Sequence, residues 1–334
     1  MRTNQIYHIP KILYHWRMIE GSAAASSEAK PYAFVAAKKA LTEHLDRRQI
    51  SAEIIDGIWP GHYQISFNLP TTERVSIVIL ASGQPDSLRT CITSIENKTS
   101  YQNYEIIVVE NQSIDTELRK YLSSRSHRVV SSQEPFNSSR LINLGAKHAS
   151  GAYLLLLHDD TEVISADWIR SMLGFCRQKE VGVVGAKLLY RNDLIQHAGV
   201  ILGIKGVAGR PLRRFPRNTW QGSGAACDAR NYSAVSAACM MIRKCVFEEV
   251  SGFDEQYSAT YNDIDFCLRV REERYRIVWT PWAELYHDDS SSLGRNRNSY
   301  EVACLKRRWG GILTNDPYYN PNLTLRHEDL GYRV

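Results

Sequence analysis

The chain has no long hydrophobic run. Its most apolar stretches, such as Val75 to Leu80 and Tyr153 to Leu157, fall far short of the ~20 residues that cross a bilayer as a helix. The first residues do not form a leader pattern, because His8, Lys11, His15 and Arg17 interrupt them. Charge of one sign is also lacking. Lys and Arg number 41 against 36 Asp and Glu, a net +5 at pH 7. That excludes a basic nucleic-acid arm, and no nucleic-acid partner is expected. The mild positive excess suits an anionic small ligand or a peripheral contact with acidic lipid. The seven cysteines are odd in number and contain no CxxC pair, so buried free thiols in a reducing cytosol are expected rather than disulfides or a zinc site. No GxGxxG follows the first buried strand, which argues against a nicotinamide-dependent enzyme. What is present is the composition of a packed protein: 334 residues, 43% hydrophobic and 23% charged. That length suits two domains or one large domain with appendages.

The amino-terminal region is uneven. Ile12 to Tyr14 reads as a short strand, Gly21 to Lys30 as a small-residue connection, and residues 31–48 as a helix with Phe34, Ala37, Leu41 and Leu45 on one stripe. Tyr63 to Phe67 alternates like a strand. From Thr71 the pattern changes. Val75 to Leu80, Glu105 to Val109, Val129-Val130 and Tyr153 to Leu157 read as strands, most of them buried. They alternate with helical segments at Leu88 to Glu96, 115–123 and Arg140 to Ala149. Strand alternating with helix predicts a three-layer α/β domain with a mainly parallel central sheet. Ligands of such sheets bind beyond the carboxyl ends of the strands.

Two strand-end segments therefore matter most: Glu110-Asn111-Gln112-Ser113 and His158-Asp159-Asp160-Thr161-Glu162. The second sets three acids within four positions after a buried strand. Carboxylates there either hold a hard divalent cation or cap the next helix. Asp254, Asp263 and Asp265 form a further acidic group. Asp263 and Asp265 open an amphipathic helix, where acids either favour the helix dipole or supply a general base. Two positions apart on a helix, they face ~200° apart, so one should look into a cleft while the other anchors the loop, with Arg269 in reach at i+4. His287, after an apolar segment and before polar residues, is placed to face a cleft.

Together these stretches resemble family 2 glycosyltransferases of the GT-A fold. The matching stretches are VSIVIL (75–80), YEIIVVENQS (104–113), LINLGAKHASGAYLLLLHDDTEV (141–163), GFDEQYSATYNDIDFCLR (252–269) and AELYHDDSSSLGR (283–295). KLLYRNDLIQHAGVILGIKGVAG (187–209), NYSAVSAACMMIR (231–243) and DPYYNPNLTL (316–325) are similar to the bacterial group that builds O-antigen, capsule and rhamnan polysaccharides. The likeness covers about residues 70–330.

The resemblance implies an inverting, metal-dependent enzyme. It moves a sugar from a nucleotide-sugar donor to a hydroxyl of a lipid-linked or polysaccharide acceptor, in the cytoplasm or at the inner face of the membrane. It places Asp160 at the last acid of the DxD-type motif, with Asp159 beside it and His158 in the first position. It implies Mn²⁺ or Mg²⁺ held by Asp160 and His287, and donor contacts from Glu110, Asn111, Asn143, Asp159 and Asp160. Gly145 completes an N-x-G segment with Asn143. Asp263 matches the general base. The chain departs from the family at Leu80-Ala81-Ser82-Gly83, at Glu110, where Asp is usual, and at Gln112, where Gly is usual. These departures support an alternative, a catalytically degenerate GT-A module that binds glycan or a partner glycosyltransferase. The expected organisation is an appendage over 1–70, the glycosyltransferase domain over 71–295, and a tail over 296–334 packing on the core. IYHIPKILYHWR (6–17) echoes the segment before His287 and resembles the closing stretch of a preceding glycosyltransferase module in tandem proteins.

Overall fold

The computed structural model describes residues 30–81, 85–111, 116–125, 127–288 and 299–333, together with 7, 9–11, 13–15 and 17–22. Ser82, Gly83 and Gln112, three of the departures named above, lie outside the described residues. So does Ile12; its neighbours Leu13 and Tyr14 are exposed and in no strand.

Helix α1 (Tyr32–Arg47) follows Pro31, whose fixed φ suits a helix start. A hairpin of β1 (Ala52–Asp56) and β2 (Tyr63–Phe67) comes next. Phe67 of β2 packs edge-on against Phe175 at 4.9 Å and seats over Gly174, where any Cβ would collide with its ring. The main domain then runs through β3 (Val75–Ala81), α2 (Pro85–Lys98), β4 (Tyr104–Asn111), α3 (Thr116–Ser124), β5 (Arg128–Ser132), α4 (Ser138–His148) and β6 (Tyr153–His158). It continues with β7 (Thr161–Val163), α5 (Trp168–Cys176), β8 (Val181–Leu189), β9 (Ile195–His197), β10 (Ile201–Leu202), β11 (Ala208–Gly209) and the short α6 (Gln221–Gly224). It closes with β12 (Arg230–Tyr232), β13 (Cys239–Arg243), α7 (Lys244–Glu249), α8 (Asn262–Glu272), β14 (Arg276–His287) and α9 (Ser299–Leu313).

The central sheet has the order β12-β14-β8-β13-β6-β3-β4-β5. Strands β5, β4, β3 and β6 pair in parallel; β13 runs antiparallel between β6 and β8, and β14 is parallel to β8. Six strands thus share one direction, and four of them, β3 to β6, are the strands that the sequence pattern predicts. Alternate residues of β3 feed two cores. Val78 and Leu80 join Leu141 and Ile142 of α4, Phe266 of α8 and Leu305 of α9. Val75, Ile77 and Ile79 join Leu88 and Ile92 of α2 and Trp168 of α5. Helices on both faces make three layers, each held by fully buried aliphatic side chains worth ~1.5–3 kcal/mol apiece before chain entropy is counted.

The parallel strands end at one edge. In register, Ala81 stands beside Glu110 and Leu80 beside His158, so both strand-end motifs open on the same side of the sheet. All seven cysteines are free and six are buried.

Candidate active site

Strand β6 carries four leucines into the cores and ends at His158. A two-residue turn, Asp159-Asp160, reverses the chain into β7. Thr161 Oγ1 closes that turn by donating to the His158 carbonyl at 2.8 Å. β7 pairs with the far end of β14, Thr161 opposite His287, and the Asp288 amide donates to the Asp160 carbonyl at 3.1 Å. This pairing brings together residues 127 positions apart, from 160 to 287. His287 Nε2 lies 3.2 Å from Asp160 Oδ1, and the His158 and His287 rings meet edge-on at 5.4 Å. One ligand atom from each of His158, Asp160 and His287 lies within 4.8 Å of the others.

Asp160 and His287 are buried, 7% and 3% exposed. Burial pushes the Asp160 carboxyl up, but the adjacent His287 imidazole, with the charges of His287 and His158, outweighs it, and the net shift is downward. Among the described residues, neither ring nitrogen of His287 has an aligned hydrogen-bond partner. A buried imidazole left in that state beside a carboxylate and a second imidazole is what a cation site requires. The residues therefore fit a divalent metal.

Asp263 reaches the same region from another element. It sits in the first turn of α8, after Tyr261 at φ 59°. Its Oδ1 accepts from the Ile264 amide at 2.9 Å and its Oδ2 from the Ala237 amide at 3.4 Å. Burial raises its carboxyl above the usual range, opposed by the charge of Arg210. A cavity of about 280 Å³ is lined by His158, His287, Asp263, Arg210, Leu80 and Tyr261 among others. Asp263 and two of the three metal-site residues thus open into one space. Asp265 is turned away, fully buried, with Oδ2 on Arg269 Nε at 2.8 Å and Oδ1 on Trp309 Nε1 at 2.9 Å.

The other expected donor residues are placed differently. Glu110 is 1% exposed, and its Oε1 accepts from Arg119 Nη2 at 2.6 Å and from the Ser131 hydroxyl. Asn111 is half-buried at the end of β4, opposite Ser132. Asp159 is buried in the turn after β6. None of the three lines the cavity. Asn143 does not line it either. Its amide donates to the Phe253 carbonyl at 2.9 Å and accepts from the Phe253 amide at 2.8 Å, pinning the loop before α8. Gly145 serves packing, since a Cβ there would lie 2.3 Å from Val78 Cγ1.

Three residues escape sequence reasoning. His158 has a motif position but no ligand role until β14 brings His287 beside it. Arg210 lines the cavity and supplies positive charge, yet belongs to no acidic motif. His197 is buried on β9, and its Nε2 accepts from the Ser236 amide at 3.2 Å. That bond holds the 236–238 turn, whose Ala237 amide reaches Asp263 and whose Ala238 carbonyl accepts from His158 N at 3.1 Å. The QHAG stretch at 196–199 was the available signal.

The chain is 41% identical over 346 aligned residues to the uncharacterized protein y4gI of Sinorhizobium fredii, covering 98% of this chain and 38% of that one. It is 36% identical to the O-antigen biosynthesis protein RfbC of Myxococcus xanthus, covering 99% of this chain and 26% of that one. The chain thus spans little more than a third, or a quarter, of these relatives. A solved structure of GalNAc-T7 with UDP, GalNAc and Mn²⁺ superposes with a TM-score of 0.54 at 14% identity, over 64% of this chain and 44% of that one. That likeness shows a shared fold, the GT-A fold of glycosyltransferases. The model of the glycosyl transferase family 2 matches residues 76–251, more than half of the 334, and the chain belongs to that family.

Proposed function

We propose that this glycosyltransferase takes a nucleotide-sugar donor and inverts the sugar's anomeric centre as it joins a hydroxyl of a cell-surface glycan. The observation that carries this is the meeting of Asp263 with His158 and His287 on one cavity at the carboxyl edge of the sheet. His158, Asp160 and His287 would hold a divalent metal, and such an ion supplies a Lewis acid that neutralises charge on a departing nucleoside diphosphate. Two imidazoles beside one carboxylate favour Mn²⁺ over Mg²⁺, which prefers oxygen ligands.

Asp263 performs the proton step. A sugar hydroxyl is a poor nucleophile, so a positioned carboxylate must take its proton as the new bond forms. The raised carboxyl of Asp263 is a better base than an exposed one, and the Ile264 and Ala237 amides keep its two oxygens aimed. Arg210 adds positive charge where an anionic donor would lie. Inversion follows from one base acting on the face opposite the leaving group, as in inverting glycosidases.

The acceptor is a lipid-linked or polysaccharide glycan in this reading, consistent with the name of the Myxococcus relative. No described helix is long and apolar enough to cross a membrane; the mild positive charge of the chain, +5, suits work at the inner membrane face by peripheral contact. A binding-only module is the competing reading. The burial of Glu110 against Arg119 and Ser131 favours it, because that carboxylate is already engaged. Release of free sugar from nucleotide-sugars in Mn²⁺ decides between them. Turnover that disappears in Asp160→Ala supports the enzyme, and no turnover of any nucleotide-sugar supports the binding module.

A further inference from the structure

A second cavity, of about 550 Å³, is walled by Tyr232, Tyr318, Tyr319 and Tyr332 together with Arg230 and Asn320. The two cavities are lined by neighbouring residues of one segment, Val200 on the catalytic cavity and Ile201 on this one. None of its walls takes part in the chemistry above. The stretch 316–325, which the catalytic reading leaves unused, meets Tyr232 there.

The cavity is built rather than incidental. Asp316 is 6% exposed and accepts from Ser233 Oγ at 2.7 Å, from the Leu202 amide at 2.8 Å and from the Tyr318 amide at 2.9 Å. Arg271 donates to Ser233 Oγ at 2.9 Å and lies over the Tyr318 ring at 5.2 Å. Tyr319 donates its hydroxyl to the Thr324 carbonyl at 2.8 Å. The rings are therefore held in place before any ligand arrives, which lowers the ordering cost of binding. Tyr232 is 3% exposed, and its ring meets Trp279 edge-on at 6.3 Å.

The wall chemistry selects the ligand. Aromatic faces attract the C–H faces of a pyranose ring, while phenol, amide and guanidinium groups satisfy its hydroxyls. A nucleoside diphosphate would need several cations. Arg230 is the one named wall residue with a charge, and it is already tied to the Ala225 carbonyl at 3.5 Å and laid over Tyr232 at 5.6 Å. We propose that this cavity is a saccharide subsite that holds neutral glycan at a distance from the reacting hydroxyl. The inference rests on the glycan-acceptor reading above.

The test is to probe an array of bacterial O-antigen polysaccharides with the full chain. At least one polysaccharide should bind, equally in EDTA and in Asp263→Asn. Binding should fall by about tenfold or more in Tyr318→Ala and in Tyr332→Ala, as expected for aromatic anchors. Tyr332 is 72% exposed, so its loss leaves the fold intact. Tyr232→Phe, which removes only the hydroxyl, should also weaken binding. An array with no bound polysaccharide, or binding indifferent to all three tyrosines, overturns the subsite. Binding abolished by EDTA or Asp263→Asn assigns the glycan to the catalytic cavity and overturns it too. If the tyrosine-dependent binding stands while no nucleotide-sugar is turned over, the subsite survives and the enzymatic reading fails.

Discussion

Asp263 and Asp265 show how two identical side chains on one helix start acquire opposite work. Asp263 faces the cavity with its carboxyl raised by burial. Asp265 is spent on Arg269, Trp309 and Arg308. Asp263→Asn should keep donor binding but lose transfer by ~10²–10⁴-fold, the usual range for a lost general base. A loss of only a few-fold with the true acceptor would remove Asp263 from the role. The pH profile carries the same point. A base acts when deprotonated, so kcat/KM should fall as pH drops through its pKa. That acid limb should lie above 3.8, the ordinary aspartate value. Asp265→Ala should behave differently. Leaving the Arg269 charge buried and unpaired should cost ~3–5 kcal/mol, read as a lower urea midpoint with nucleotide affinity unchanged in the folded fraction. The opposed directions of Asp263 and Asp265 were legible from helical spacing alone. The commitment of Asn143 to the Phe253 backbone was not, because that contact spans 110 positions.

At the scale of elements, α9 acts on the site through one carboxylate. Glu301 is fully buried; Oε1 accepts from the Ser258 amide at 2.7 Å, the Ser258 hydroxyl at 2.9 Å and the Ala259 amide at 3.2 Å, and Oε2 from the Thr260 amide at 2.9 Å. Ala259 and Thr260 line the cavity that Asp263 faces, so α9 shapes a wall it does not touch. Burial pushes the Glu301 carboxyl up, but the Thr260 and Ser258 hydrogen bonds outweigh it, and its folded value lies below the ordinary 4.5. Its stability contribution is therefore complete above pH 4.5 and is lost as pH falls through the folded value. The difference in urea midpoint between the native chain and Glu301→Gln should be widest near neutrality and shrink below that point. A difference that stays constant down to about pH 3 would contradict this linkage. Helix α4 offers a simpler case. Gly145 lets it lie against β3 and β4, where a Cβ would meet Val78 at 2.3 Å and Val109 at 2.8 Å. Gly145→Ala should cost ~1–3 kcal/mol by overpacking; an unchanged denaturation curve would show that the helix can shift freely. The strands and helices of 75–158 were readable because each is a short apolar run or a helical stripe bounded by turns. The small strands β9 to β12 carry two or three residues each and left no periodicity to read.

For the whole molecule, the three-layer architecture was legible, and so was the edge on which the ligand sites open. The antiparallel insertion of β13 and the 12-residue β14 were not, because pairing between distant strands leaves no local pattern. That long strand is what carries His287 to Asp160, so a linear reading could pair the two only through the family likeness, and could not add His158. The central claim is that His158, Asp160 and His287 form a cation site serving an anionic donor beside Asp263. Isothermal titration of nucleoside diphosphates into the full chain, with Mn²⁺ and with EDTA, tests it most directly. The account predicts Mn²⁺-dependent affinity that collapses in Asp160→Ala and His287→Ala and persists in Asp263→Asn. Equal affinity in EDTA, or affinity unchanged by both ligand substitutions, would contradict it.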